Sequence, residues 1–376
     1  MDTNDAIPDW VIYPDAEWVR ISPAHAGFDA KGFDRLVTGA AVKGAACEGE
    51  THGGNNWGAA VCRGGYQVQS WGDPDYTYQT ASVAKAFTRA LLGLAVWEGL
   101  IHEDDPICQS WTGEGQLSHP HKYLTEGHHP KLTWRHLIGK ADDTSKHYGG
   151  FPVTNGFFWR KHAYAHSIRG FVNGVFTDGP DAKDDSGIPV PEWAQWTGDP
   201  LYDNYAHVEP GNQGIYASGG IWRLSQALTA LWGRDVKVVL DEKLFGKIGI
   251  RPERWDWVTG REVFENKSFY PSMPGYGDFI DPPYEIDGHV VRGGGGWAVM
   301  SASDLARYGL FVACGGVWEG ERLLDTQWVH SHGGGNGSRL EGDPATFLSM
   351  GMVTTQGLPS LKEFADLLTG PVRVTG

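Results

Sequence analysis

The sequence predicts a mixed α/β (α+β) fold: an antiparallel sheet flanked by N- and C-terminal helices, with an inserted, mainly helical lobe. Three observations carry this expectation. Helix and strand patterns lie near both ends of the chain, the middle carries chiefly helical signals and loops, and a strongly apolar helical segment opens that middle at Ser82. Residues 1–75 and 290–376 then form one α/β lobe of a single domain, and residues 76–289 a helical lobe with aromatic-rich insertions.

Each element has its own signature. Phe28, Phe33, Leu36, Val37 and Ala40 recur at helical spacing. Ala59-Ala-Val-Cys62 and Tyr66-Gln-Val-Gln-Ser-Trp71 read as strands joined by a turn at Arg63-Gly64-Gly65. Ser82 to about Gly99 is apolar on nearly every helical face, which marks a buried helix. Residues 107–205 are loop-rich, with a short helical signal at Leu132–Ile138, and a further helix is expected over Ile221–Leu231. Gly293–Gly296 leads into Trp297–Met300 and a helix from Ala302 to Phe311. Strand-like residues follow near 346–354, and a last helix over Leu361–Leu368.

Composition narrows the function classes. The chain has 376 residues, 40% hydrophobic and 20% charged, enough for one large domain or two packed lobes. Its net charge of −15 argues against nucleic acid, because a phosphate-binding surface needs a concentrated positive field. No segment reaches the roughly 18 apolar residues of a membrane span. The acidic start, Met1-Asp-Thr-Asn-Asp, does not resemble a signal peptide, so the expected address is cytoplasmic. Cys47, Cys62, Cys108 and Cys314 show no paired spacing and read as reduced, mostly buried thiols. His119, His121, His128, His129 and His136 raise the possibility of zinc, but no His-x-x-x-His spacing exists and Pro120 and Pro130 interrupt the segment. They read as solvent-exposed loop histidines, and no metal or organic cofactor is expected. Trp159, Trp193, Trp196, Trp222, Trp255 and Trp257 fit either an apolar substrate wall or ordinary core packing.

The chemistry-bearing pattern is Ser82-Val-Ala-Lys85 at the start of the apolar helix. Residues three apart share a helix face, so the lysine amine can reach the serine hydroxyl. The helix N-terminus favours a developing oxyanion, and burial lowers a lysine pKa toward that of a base. A serine N-cap with a snorkelling lysine is the plain structural alternative.

Around this pattern the sequence resembles the serine β-lactamase and penicillin-binding superfamily, in particular class C β-lactamases, family VIII carboxylesterases and nylon-oligomer hydrolases. The resemblance rests on Gln79-Thr-Ala-Ser-Val-Ala-Lys-Ala-Phe-Thr88, Trp97-Glu-Gly-Leu-Ile-His-Glu-Asp-Asp-Pro-Ile107, Leu132-Thr-Trp-Arg-His-Leu-Ile138 and Ser301-Ala-Ser-Asp-Leu-Ala-Arg-Tyr-Gly309. It implies a β-lactamase-like fold with Ser82 as nucleophile and Lys85 as its base. It also implies a second motif at Pro210-Gly-Asn-Gln-Gly-Ile-Tyr216-Ala-Ser218, where Tyr216 handles protons and Ser218 holds the lysine or the leaving group. The third motif matches best at His332-Gly333-Gly334-Gly335, with His332, Gly334 and Gly335 beside the substrate and the Gly335 N–H joining that of Ser82 in an oxyanion hole. Gly293–Gly296 is an alternative glycine run for that place.

The expected activity is hydrolysis of a small-molecule ester or amide through an acyl-enzyme. Action on short or D-configured peptides and β-lactam hydrolysis are the alternatives within the superfamily, the latter weakened by the lack of Lys-Thr-Gly. A catalytically silent binding protein on the same fold and a metallohydrolase are the alternatives of other classes. Oligomeric state is left open.

Overall fold

The computed structural model describes residues 7–45, 56–111, 127–139, 147–151, 206, 208–212, 214, 217–265 and 283–373. Along the chain, strand β1 (Val19–Arg20) precedes helix α1 (Ala30–Gly39), and β2 (Gly58–Arg63) and β3 (Tyr66–Gly72) form a hairpin. Strand β4 (Thr77–Gln79) leads into α2 (Ala84–Trp97), and α3 (Ser218–Trp232) lies in the middle of the chain. Strand β5 (Ala298–Ser301) and helix α4 (Ala302–Ala313) follow, then β6 (His332–Gly333), β7 (Arg339–Asp343), β8 (Leu348–Val353) and α5 (Leu361–Ala365).

The chain divides into two compact units. One comprises Met1–Ala90, Leu240–Asp256 and Gly296–Gly376; the other comprises Leu91–Val239 and Trp257–Gly295. Among the described residues the main sheet of the first unit has six strands in the order β1-β3-β2-β8-β7-β6. All its pairs are antiparallel except β1 with β3, which run parallel. The sheet is therefore antiparallel, as the sequence predicts, apart from a two-residue edge strand with too little pattern to read. The hairpin turns at Gly64 and Gly65, whose φ values of +54° and +86° suit glycine.

Alternation along the strands sends residues to two cores. Ala59 and Val61 of β2, Val68 of β3 and Met350 and Met352 of β8 join Phe33 of α1 and Phe364 of α5 in one cluster. Ala60 and Cys62 of β2 face the other way and pack with Ala306 of α4. The helices covering the sheet are capped locally. Asp29 accepts the Lys31 N–H at the start of α1, Ser301 accepts the Asp304 N–H at the start of α4, and Ser360 with Glu363 forms a capping box on α5. α5 is shorter than its sequence pattern because the chain leaves the helix to pair extended with the N-terminal segment: Asp29 N–H donates to Leu367 O at 2.8 Å and Phe28 bridges Leu368.

In the second unit α3 ends at Gly233 in the left-handed region, and its Trp222, Leu224 and Leu228 are buried. The segment Leu132–Ile138 forms only a 3₁₀ turn over Arg135–Leu137. Leu132 and Thr133 are engaged in extended pairing instead, since Ile107 N–H donates to Leu132 O and Pro106 bridges Thr133. His129 is fully buried rather than solvent-exposed, because its Nε2 accepts the Ala206 N–H at 2.9 Å. His119 and His121 lie outside the described residues, as do Cys47, Trp159, Trp193 and Trp196. Trp222, Trp255 and Trp257 are core residues, and Cys62, Cys108 and Cys314 are free thiols. Among the described residues no helix is long and apolar enough to cross a membrane.

Phe364 is fully buried between the sheet and Phe33, whose ring centroid lies 5.6 Å away. Phe364→Ala should lower unfolding free energy by about 3–5 kcal/mol in urea titration, as for other large-to-small core changes; a loss below about 1 kcal/mol would contradict the assigned core.

Candidate active site

The site is built on the junction between β4 and α2. Ser82 lies in a single 3₁₀ turn, Ala81–Val83, and the α-helix proper begins at Ala84, two residues later than the sequence pattern suggests. The turn is a sharp one. Ala81 adopts φ +49°, a left-handed conformation uncommon for a residue with a Cβ, and its N–H donates to Gln79 Oε1 at 2.8 Å. Thr80 is tied to β5 twice, its N–H and its hydroxyl both donating to Ala298 O at 2.8 and 2.9 Å.

Lys85 stands one helical turn after Ser82 and its Nζ donates to Ser82 Oγ at 3.0 Å. The side chain is only 5% exposed. Burial disfavours the ammonium form and brings the Lys85 pKa from 10.5 down to about 7. An amine with that pKa is partly neutral at neutral pH and holds a lone pair within reach of a hydroxyl proton. A snorkelling, solvated Lys85 does not fit this burial.

The glycine-rich third segment lies in the same compact unit, on and after β6. His332 Nδ1 is 2.8 Å from Gly333 O, and since a carbonyl only accepts, Nδ1 carries the proton. Burial and the charge of Lys85 push the His332 pKa down to about 4, so the ring is neutral across the physiological range. Gly334 sits directly on the turn that carries Ser82, since a Cβ there would run into Thr80 O and approach Ala81 Cβ at 3.1 Å. A Cβ on Gly335 would meet nothing within 4 Å among the described residues. Of the alternative run, Gly296 adjoins the turn, its would-be Cβ 3.3 Å from Ala81 O, whereas Gly294 packs on Ser225.

The structure thus brings Ser82, Lys85, His332, Gly334 and Gly335 into one unit. Ser218 is the first residue of α3, in the other compact unit, and Tyr216 lies outside the described residues. Sequence reasoning passed over several residues around the turn. Arg89, one turn beyond Lys85, is buried, and its guanidinium shares the Gln327 carbonyl with His330 Nε2, at 3.4 and 2.7 Å. An arginine inside an apolar helix is the same anomaly that singles out Lys85 and could have been read in the same way. Asn336 Nδ2 donates to Gln79 O at 2.7 Å, but Gly-Gly-Asn-Gly-Ser reads in sequence as a plain turn. Among the described residues no group of three or more His, Cys, Asp or Glu side chains is placed to hold a metal ion.

No family model and no curated protein matches the sequence. Solved structures do match. A Bacillus anthracis protein assigned as a 6-aminohexanoate-dimer hydrolase superposes with a TM-score of 0.52 at 13% identity, covering 94% of this chain and 86% of its own. A family VIII carboxylesterase gives a TM-score of 0.50 at 13% identity, covering 94% of this chain and 98% of its own. At such identity the likeness concerns architecture, and the architecture is β-lactamase-like, as the motif resemblance implies.

The buried amine has a consequence for stability. Below about pH 7 the native protein carries a buried ammonium and is destabilised in full; between pH 7 and 10.5 the native amine is neutral while the unfolded one stays protonated. The cost is relieved as pH rises through this window. The stability of the wild type minus that of Lys85→Met should therefore climb by about 1.4 kcal/mol per pH unit between pH 8 and 9.5 in chemical denaturation. A flat difference would show that Lys85 is solvated.

Proposed function

We propose that the chain is a serine hydrolase that cleaves an ester or amide bond of a small molecule through an acyl-enzyme on Ser82. The observation that carries this reading is the hydrogen bond of 3.0 Å between Ser82 Oγ and the buried Lys85 amine. Neutral Lys85 takes the Ser82 proton as Oγ attacks the carbonyl carbon, the carbonyl oxygen becomes an oxyanion held by the Ser82 and Gly335 N–H groups, and the protonated amine returns its proton to the leaving group. Water then attacks the acyl-enzyme with the same base. Tyr216 is the proposed second proton-handling group, and Ser218 and His332 the proposed substrate-facing ones. The sequence of steps needs no cofactor.

Ester and amide substrates are supported by the two proteins of like fold, one a carboxylesterase and the other assigned as a 6-aminohexanoate-dimer hydrolase.

Incubation with a fluorophosphonate should leave one adduct on the peptide carrying Ser82 and block turnover of a short-chain p-nitrophenyl ester. Ser82→Ala should reduce turnover to background, and an unchanged rate would overturn the proposal. The kcat/KM of the wild type should rise with pH about a midpoint near 7, the pH at which Lys85 loses its proton, and Lys85→Met should lower it by about 10²–10⁴-fold. A pH-independent rate, or activity lost to a chelator, would exclude Lys85 as the base.

A further inference from the structure

We infer that Asn336 is a positioning residue for acyl transfer: by clamping the glycine loop after β6 to the turn that carries Ser82, it sets the spacing between the Gly335 and Ser82 N–H groups. The inference rests on the proposed acyl-enzyme chemistry and adds a residue to it.

Asn336 is 4% exposed and uses both ends of its amide. Nδ2 donates to Gln79 O at 2.7 Å, and Oδ1 accepts the Ser338 N–H at 3.1 Å. The loop around it is closed on itself, with Gly334 N–H donating to Ser338 O at 2.7 Å and Gly337 N–H donating to Gly334 O at 3.1 Å. These bonds close a turn over 334–338 that contains Gly335. On the other side of the clamp, Gln79 is fully buried, and its own side chain holds Ala81 in the left-handed conformation that starts the Ser82 turn. Gly334 completes the fit, since any side chain there would collide with the Thr80 carbonyl. A set of hydrogen bonds thus links Ser338, Asn336, Gln79 and Ala81, the residue that precedes Ser82.

Position 336 needs a side chain that donates at one end and accepts at the other. Asn supplies both; Asp in its ionised form supplies only acceptors, and Ala neither. Without the donor, the hydrogen bond from position 336 to the Gln79 carbonyl is lost, and the loop relaxes away from the turn. A displacement of this kind spoils the binding of an oxyanion more than that of a ground-state ester, so the loss falls on kcat.

The test uses the full-length chain with a p-nitrophenyl ester and a fluorophosphonate. Asn336→Asp is expected to lower kcat about 10- to 100-fold at pH 8 with KM within about twofold. Its pH midpoint should move above 7, because the new carboxylate beside the Ser82 turn favours the protonated form of Lys85. As pH falls further, its rate relative to wild type should recover, because the protonated acid again donates to Gln79 O. A side chain that merely filled space would give no such recovery. If Asn336→Asp does not fold, Asn336→Ala gives the same split between kcat and KM. Wild-type kcat in a folded variant, or a loss carried by KM alone, would overturn the inference while labelling of wild-type Ser82 still upheld the chemistry. Failure of wild-type labelling would overturn both.

Discussion

Burying a lysine amine against a serine hydroxyl is unfavourable unless the surroundings prevent the side chain from reaching water, and much of the first compact unit serves that constraint. Two residues after Lys85, Phe87 packs edge-on against Phe245 and Tyr308 at centroid distances of 5.2 Å each. These rings fix the start of α2, and with it the direction of the Lys85 stem. Desolvation then does what no neighbouring acid or base is needed for: it shifts the amine to a pKa near neutrality.

In the proposed chemistry Lys85 serves as a base only if Ser82 is presented to it, and that presentation depends on the sheet rather than on the helix. Thr80 is fastened to β5 by two hydrogen bonds to one carbonyl, Ala81 is held at positive φ by the Gln79 side chain, and Gln79 in turn receives Asn336. The strain at Ala81, on the order of 1–3 kcal/mol, is tolerated because Gln79, Thr80 and Asn336 around the turn are buried and hydrogen-bonded. The same clamp brings the glycine loop beside the turn, where small residues let two backbones approach closely.

The hairpin, α1, α2, α4 and β8 were legible because each carries a strong local period, and the Ser82 to Lys85 spacing was legible because a lysine in an apolar helix is out of place. Strands β6 and β7 were not read from periodicity. The first is two residues long, and Arg339, Glu341 and Asp343 on the second hide its pairing with β8. His332 entered only through resemblance, and Asn336 not at all, because a buried asparagine bonded to a carbonyl 257 residues away in sequence leaves no local signal. The solvent-exposed reading of His129 failed for a related reason: sequence position gave no hint that a backbone N–H would be delivered to its ring.

The central claim is that Lys85 is neutral near physiological pH because it is buried beside Ser82. Its most direct test is an NMR titration of the Lys85 side-chain nitrogen in ¹⁵N-lysine-labelled protein, assigned by comparison with Lys85→Met. The account predicts a midpoint near 7. A midpoint close to 10.5, the value of a solvated lysine, would contradict it.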